Sequence, residues 1–149
     1  MFWIEINDFE AICFSFCRQI FTFKEPIPDF ATRIPGILES CLVTPRQQAF
    51  RKDLYHSFED KLAILFYLMI KNHPFVNGNK RMAVATLLVT LYGNGKWIKA
   101  NADEIYKLAV EVSSSKTNEK DKYVLKIKTF LKERIVERSV IEKLLERFK

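Results

Sequence analysis

Two runs of this chain, Leu62 to Ile70 and Ala83 to Tyr92, are apolar at almost every position, and a short polar stretch joins them. A helix that is greasy on most sides must be buried, and neither run approaches the ~20 residues needed to span a bilayer. Both runs therefore belong side by side inside one core, with the rest of the chain wrapped around them. The signals at their ends agree. Ser57 and Asp60 are spaced as a capping box ahead of the first run. His73 precedes Pro74, so that helix ends at Asn72. The second helix is expected from Lys80 or Arg81 to Tyr92, with Gly93 and Gly95 closing it.

The remaining segments also read as helices. Phe9, Ile12, Cys13, Phe16, Cys17 and Ile20 recur at steps of three and four, predicting one amphipathic helix capped by Asn7 or Asp8. Phe21 to Pro35 holds Pro26, Pro28 and Pro35 and reads as an irregular connection. Gly36 opens a short helix, Ile37 to Val43, that Thr44-Pro45 stops, and Asn101 with Glu104 caps another to about Val112. Pro45 to His56 has no period and reads as a polar loop or flap. Four glycines are too few for an all-β chain. The expected fold is all-α.

Residues 1–118 are expected to form the domain. Residues 119–149 carry a stripe of Val124, Ile127, Leu131, Ile135, Ile141, Leu145 and Phe148, as a helical extension that either packs on the domain or binds a partner. With 149 residues, 48% apolar and 28% charged, the chain has the make-up of one globular domain. Cys13, Cys17 and Cys41 are expected to be reduced core residues, and no His/Cys cluster completes a metal site. Met1 to Asp8 has neither the basic start nor the cleavage site of a signal peptide, so the expected location is the cytoplasm.

The net charge of +6 is uneven: residues 51–100 hold 8 basic and 3 acidic side chains. That excess points to a polyanionic ligand near the middle of the chain. Nucleic acid is the weaker choice, because the charge gathers around one loop and flap instead of along a helix that could fill a groove.

Asn72-His73-Pro74-Phe75-Val76-Asn77-Gly78-Asn79-Lys80-Arg81 is polar, yet it lies between the two most apolar segments. The amides that open the second helix lack partners within it, and the helix dipole adds positive charge there. Gly78 lets the chain wrap an anion, and Lys80 and Arg81 supply full charges. These are the parts of a phosphate site. His73, one of two histidines, stands a few residues away with an imidazole suited to accepting a proton. Phe75 is expected to point inward and anchor the loop. His56 reads as a surface residue and Trp97 as the most exposed aromatic.

His73 to Arg81 resembles the signature of the Fic/Doc superfamily, His-x-Phe-x-(Asp/Glu)-(Gly/Ala)-Asn-(Gly/Lys)-Arg, and the likeness extends upstream through Gly36-Ile37-Leu38-Glu39-Ser40 and Pro45-Arg46-Gln47. Lys80, where the Fic adenylyltransferases have glycine, and Val84, where they have a second arginine, resemble the Doc (death-on-curing) branch of toxin–antitoxin systems.

The resemblance implies an all-α protein that transfers part of ATP to a hydroxyl of a target protein. In the Doc branch this is the γ-phosphoryl group, with elongation factor Tu as target. The alternatives are Fic-type AMP transfer and a catalytically degenerate module that only binds. His73 would be the general base. Gly78, Asn79, Lys80 and Arg81 would hold phosphates, with Arg81 also stabilising transition-state charge. Arg46, Gln47, Arg51 and Lys52 would belong to the flap that aligns the target. Asn77 stands where the family has the acidic residue for Mg²⁺. The metal is then held mainly by the nucleotide phosphates, or activity is weakened, or this copy is inactive. No string completes the family's inhibitory helix: Ser115 to Glu119 and Thr129 to Glu133 both fail at the next residue. Regulation by a separate antitoxin chain is the implied alternative.

Overall fold

The computed structural model describes residues 1–21, 27 and 29–148. Pro26 and Pro28, part of the irregular connection read from the sequence, lie outside the described residues. The order of elements is α1 (6–20), α2 (Ile37–Val43), a hairpin of β1 (Gln48–Ala49) and β2 (Lys52–Asp53), then α3 (Phe58–Lys71) and α4 (Asn79–Gly93). There follow β3 (Lys96–Ile98), α5 (Ala102–Ser114), α6 (Lys120–Arg134), β4 (Ile135–Glu137) and α7 (Arg138–Glu146). The fold is mostly helical, as expected, with two short antiparallel strand pairs among the described residues.

α3 and α4 form the centre. Every residue from Lys61 to Ile70 is buried, and so is nearly all of α4. α5 and α6 cover them, adding Ile105, Leu108, Ala109, Val112, Ile127 and Leu131 to the same core. α3 opens with the full capping box: the Ser57 hydroxyl accepts from the Asp60 amide at 3.0 Å and the Asp60 carboxylate accepts from the Ser57 amide at 3.2 Å. α2 opens after Gly36 at φ +82°, and Asn101 Oδ1 accepts from the Glu104 amide at 2.9 Å to cap α5.

Several local expectations give way to longer-range forces. The first helix starts at Ile6, so Asn7 and Asp8 lie inside its first turn, and Glu5 precedes it without a side-chain cap. Its middle, Glu10–Phe14, is wound as a π-helix. The segment after Pro45 is a hairpin whose tip residues, Phe50 and Arg51, both have positive φ. α4 begins at Asn79, one or two residues earlier than expected, because Gly78 at φ +71° turns the chain into it. The helical stripe of the tail is interrupted where Ile135–Glu137 pairs with Lys96–Ile98. That pairing also half-buries Trp97, whose ring meets Tyr92 edge-on; among the described residues the most exposed aromatic is Phe50, 99% accessible. Gly93 lacks the Cβ that would collide with the Phe2 ring, so the N-terminal segment lies against the end of α4.

Cys13, Cys17 and Cys41 are free thiols in the core. Burial pushes all three up, Cys13 to about 12 against the Thr86 hydroxyl, Cys17 to about 11 against the Arg81 and Arg18 charges, and Cys41 to about 11 against a hydrogen bond with Asn72. No described helix is long and apolar enough to cross a membrane.

Candidate active site

The loop between α3 and α4 is held from three sides. Phe75 is buried, 1% accessible, with its ring edge-on to Phe14 at 5.3 Å and stacked near Phe9 at 6.1 Å. The Ile34 amide donates to the Pro74 carbonyl at 2.9 Å. The buried Asn79 side chain accepts from the Phe75 amide through Oδ1 at 2.9 Å and donates to the Phe75 carbonyl through Nδ2 at 3.0 Å. The loop backbone is thus pinned on both sides of Phe75. His73 is exposed and sits at φ +48°, a conformation that costs a non-glycine residue ~1–3 kcal/mol and that tends to cluster at functional sites.

The first i→i−4 bond of α4 runs from the Met82 amide to the Gly78 carbonyl at 2.9 Å. The amides of Asn79 and Lys80 precede it and point toward the positive end of the helix. No side chain caps this terminus. A polar cavity of about 300 Å³ opens there, at the lower end of the ~300–1,000 Å³ typical of ligand sites. His73, Asn77, Gly78, Asn79, Lys80 and Arg81 all line it. Lys80 is half-buried, whereas Arg81 is buried at 7% accessibility, close enough to Cys17 to act on its thiol.

Arg46, Gln47, Arg51 and Lys52 do not line this cavity. They belong to the hairpin and its approach, where Arg46 pairs with Glu5 at 3.3 Å and Arg51 and Lys52 face solvent. The hairpin is braced from below. Buried Lys61 binds Asp53 Oδ2 at 3.1 Å and the Tyr55 carbonyl, and Gln48 donates to Asp53 Oδ1 at 2.8 Å.

Sequence reasoning missed the far wall. Tyr106 and Ser113 of α5 and Ile70 of α3 complete the cavity, and no local motif marks them. A larger cavity of about 500 Å³, walled by Phe2, Ile12, Phe16, Leu88, Tyr92 and Trp97, has neither a histidine nor a charged side chain among its described lining residues. Its described lining offers a phosphate only neutral groups such as Ser15 and Gln19, whereas the smaller cavity brings an imidazole and two cations together.

Mg²⁺, which the resemblance implies, finds the amide oxygen of Asn77 here, that of Asn79 being taken by the Phe75 amide, and no carboxylate among the described lining residues. A hard dication favours charged oxygen donors, so these residues do not make a Mg²⁺ site by themselves.

Against known proteins, the model of the Fic/DOC family matches residues 6–91, more than half of the chain. The chain is also 34% identical over 68 residues to the Toxin Doc of Mycolicibacterium smegmatis, an alignment that covers 46% of this chain and 52% of that protein. The chain thus spans about half the length of this curated relative. No solved structure matches it.

Proposed function

The chain belongs to the Fic/DOC family, and on that footing we propose that it is a Doc-like toxin that phosphorylates a hydroxyl of a target protein. The observation that carries this reading is the polar cavity at the start of α4, where His73 shares one space with the Gly78–Arg81 turn. The triphosphate lies against the amides of Asn79 and Lys80, with Lys80 and Arg81 balancing its charge. The target oxygen attacks the γ-phosphorus, the bond to the β,γ-bridging oxygen breaks, and the nucleoside diphosphate leaves. The hydroxyl proton passes to His73, and Arg81 stabilises the charge on the equatorial oxygens.

Lys80 favours phosphoryl over AMP transfer, since its side chain takes up room in the cavity that a glycine would leave open. Arg46, Gln47, Arg51 and Lys52 place the hairpin as the surface that aligns the target. Elongation factor Tu is the first target to try, and an antitoxin chain is the partner that would restrain the toxin. No step is routed through Mg²⁺.

Incubation with α- and γ-labelled ATP and intact-mass measurement of target proteins tests the proposal. A gain of one phosphate, lost in His73→Ala, is expected. A gain of AMP would replace phosphoryl by nucleotidyl transfer, and no gain on any target would leave a binding module.

A further inference from the structure

Asn79 does more than contribute an amide to the turn. Its carboxamide is held in one orientation by the Phe75 backbone, with Oδ1 on the N–H at 2.9 Å and Nδ2 on the carbonyl at 3.0 Å. Turning the amide over would set NH₂ against an N–H and oxygen against a carbonyl, losing both bonds inside a buried site. The backbone therefore dictates which atom faces the catalytic ring. That atom is Nδ2, 3.4 Å from Nδ1 of His73. A ring nitrogen faced by a donor keeps its lone pair, and a neutral imidazole carries a single proton.

We propose that Asn79 is a positioning residue that selects the tautomer of His73, holding the proton on Nε2 in the resting protein. The constraint runs from the core outward: Phe75 is anchored among Phe9 and Phe14, Asn79 reads the Phe75 backbone, and His73 reads Asn79. The left-handed backbone at His73, followed at once by Pro74, fixes the direction from which the ring approaches.

The chemical consequence rests on the reading of His73 as the base. With Nε2 protonated, the nitrogen not engaged by Asn79 is a donor, suited to a phosphate oxygen and unable to take a proton from a hydroxyl. His73 becomes a base only when Nδ1 leaves Asn79 and the ring turns or exchanges its proton. Nucleotide in the cavity without a target then meets a donor instead of a base, which guards against loss of the phosphoryl group to water.

The chain has only two histidines, so His56→Gln, a change at an exposed residue, leaves one imidazole to observe. The full chain, ¹⁵N-labelled at histidine, is examined by long-range ¹H–¹⁵N correlation well above the ordinary imidazole range of ~6.5. A pyrrole-type Nε2 and a pyridine-type Nδ1 are expected. Asn79→Asp keeps Oδ1 on the Phe75 amide and turns its second oxygen, which the Phe75 carbonyl repels, toward Nδ1, where it should draw the proton onto that nitrogen and reverse the pattern. Circular dichroism establishes that this variant is folded. A protonated Nδ1 in the parent overturns the proposal without recourse to any variant, and so does an unreversed pattern in folded Asn79→Asp. Titration of the parent with ATP separates the two claims. Ring resonances that ignore ATP while the Nε2–H tautomer is present would count against the nucleotide reading alone.

Discussion

Replacing Phe75 with alanine probes how firmly the motif loop is fastened to the core. The ring is 1% accessible, lies between Phe9 and Phe14, and is surrounded by residues of the same buried cluster. Deleting a buried phenylalanine ring costs ~3–5 kcal/mol, with the larger values where the surroundings cannot close in. Two lost aromatic contacts, each worth ~0.5–1.5 kcal/mol beyond area burial, place this site in the upper half of that range. The backbone N–H and carbonyl of residue 75 survive the substitution, so the Asn79 clamp persists and the loss is one of packing. Against a total stability of ~5–15 kcal/mol this is a large fraction. With a urea slope of roughly 2 kcal/mol/M, the unfolding midpoint should fall by roughly 2 M at unchanged slope. Fluorescence of buried Trp3 follows the transition. Phe75→Leu, which refills most of the volume, should lose ~1.5 kcal/mol or less. A fall below about 0.5 M for the alanine variant would refute the anchoring argument.

Asn77→Asp gives the cavity its missing carboxylate and should tighten Mg²⁺ binding to the protein–nucleotide complex; calorimetry that finds equal Mg²⁺ affinity would move Asn77 away from the metal. The three buried thiols bear on alkaline stability. Their folded values are raised to about 11 or 12, so the stability they confer is whole below the unfolded thiol range and is lost as pH rises from there toward 11–12. Urea midpoints should therefore drop between pH 8 and pH 10, and less steeply in Cys41→Ala; parallel declines would exclude the thiols as the cause. Lys61→Met removes the brace under the hairpin while keeping an apolar stem in place. Hydrogen exchange should then quicken at the Leu54 amide, bonded to the Gln47 carbonyl at 3.0 Å, and stay slow within α3. Equal quickening in both would make Lys61 a support of the whole core.

The parts legible in the sequence are those fixed by near neighbours. The Ser57 capping box, the Asn101 cap, the Gly78 turn and the inward Phe75 each depend on a few adjacent residues and on one apolar face. The parts that escaped depend on distant partners. The hairpin at 48–53 has a Phe50-Arg51 tip with positive φ at both residues, where the usual signal would be Asn-Gly. Its stability comes from Asp53 and buried Lys61, eight residues apart. In the tail, the step of six from Ile135 to Ile141 already breaks the spacing of three and four. What that break means follows only from the pairing of β4 with β3, forty residues away. The cavity repeats the division: its floor, His73 to Arg81, is one continuous motif, whereas Tyr106 and Ser113 arrive from α5 through the packing of three helices.

The position of the site follows from how α4 disposes of its polar groups. A helix buried on nearly every side must satisfy each hydroxyl and carbonyl internally. Thr86 donates to the Met82 carbonyl at 2.6 Å, Thr90 to the Thr86 carbonyl at 2.7 Å, and Asn94 to the Thr90 carbonyl at 2.8 Å. The C-terminal end is closed by distant partners, since Asn94 also exchanges two hydrogen bonds of 2.9 Å with the Phe2 backbone and Arg138 donates to the Tyr92 carbonyl at 2.9 Å. The first turn has the amides of Asn79 and Lys80 to offer, at the end where the dipole is positive. Lys80 stands at that end against the dipole, an arrangement unfavourable by ~0.3–1 kcal/mol in the absence of an anion. A second unfavourable term, the left-handed backbone of His73, lies on the same rim. A sequence selected for stability alone would relieve both by placing acidic residues in the first turn of α4 and glycine at position 73. In the proposed function, a phosphate that draws on the amides, Lys80, Arg81 and the imidazole together would offset both terms.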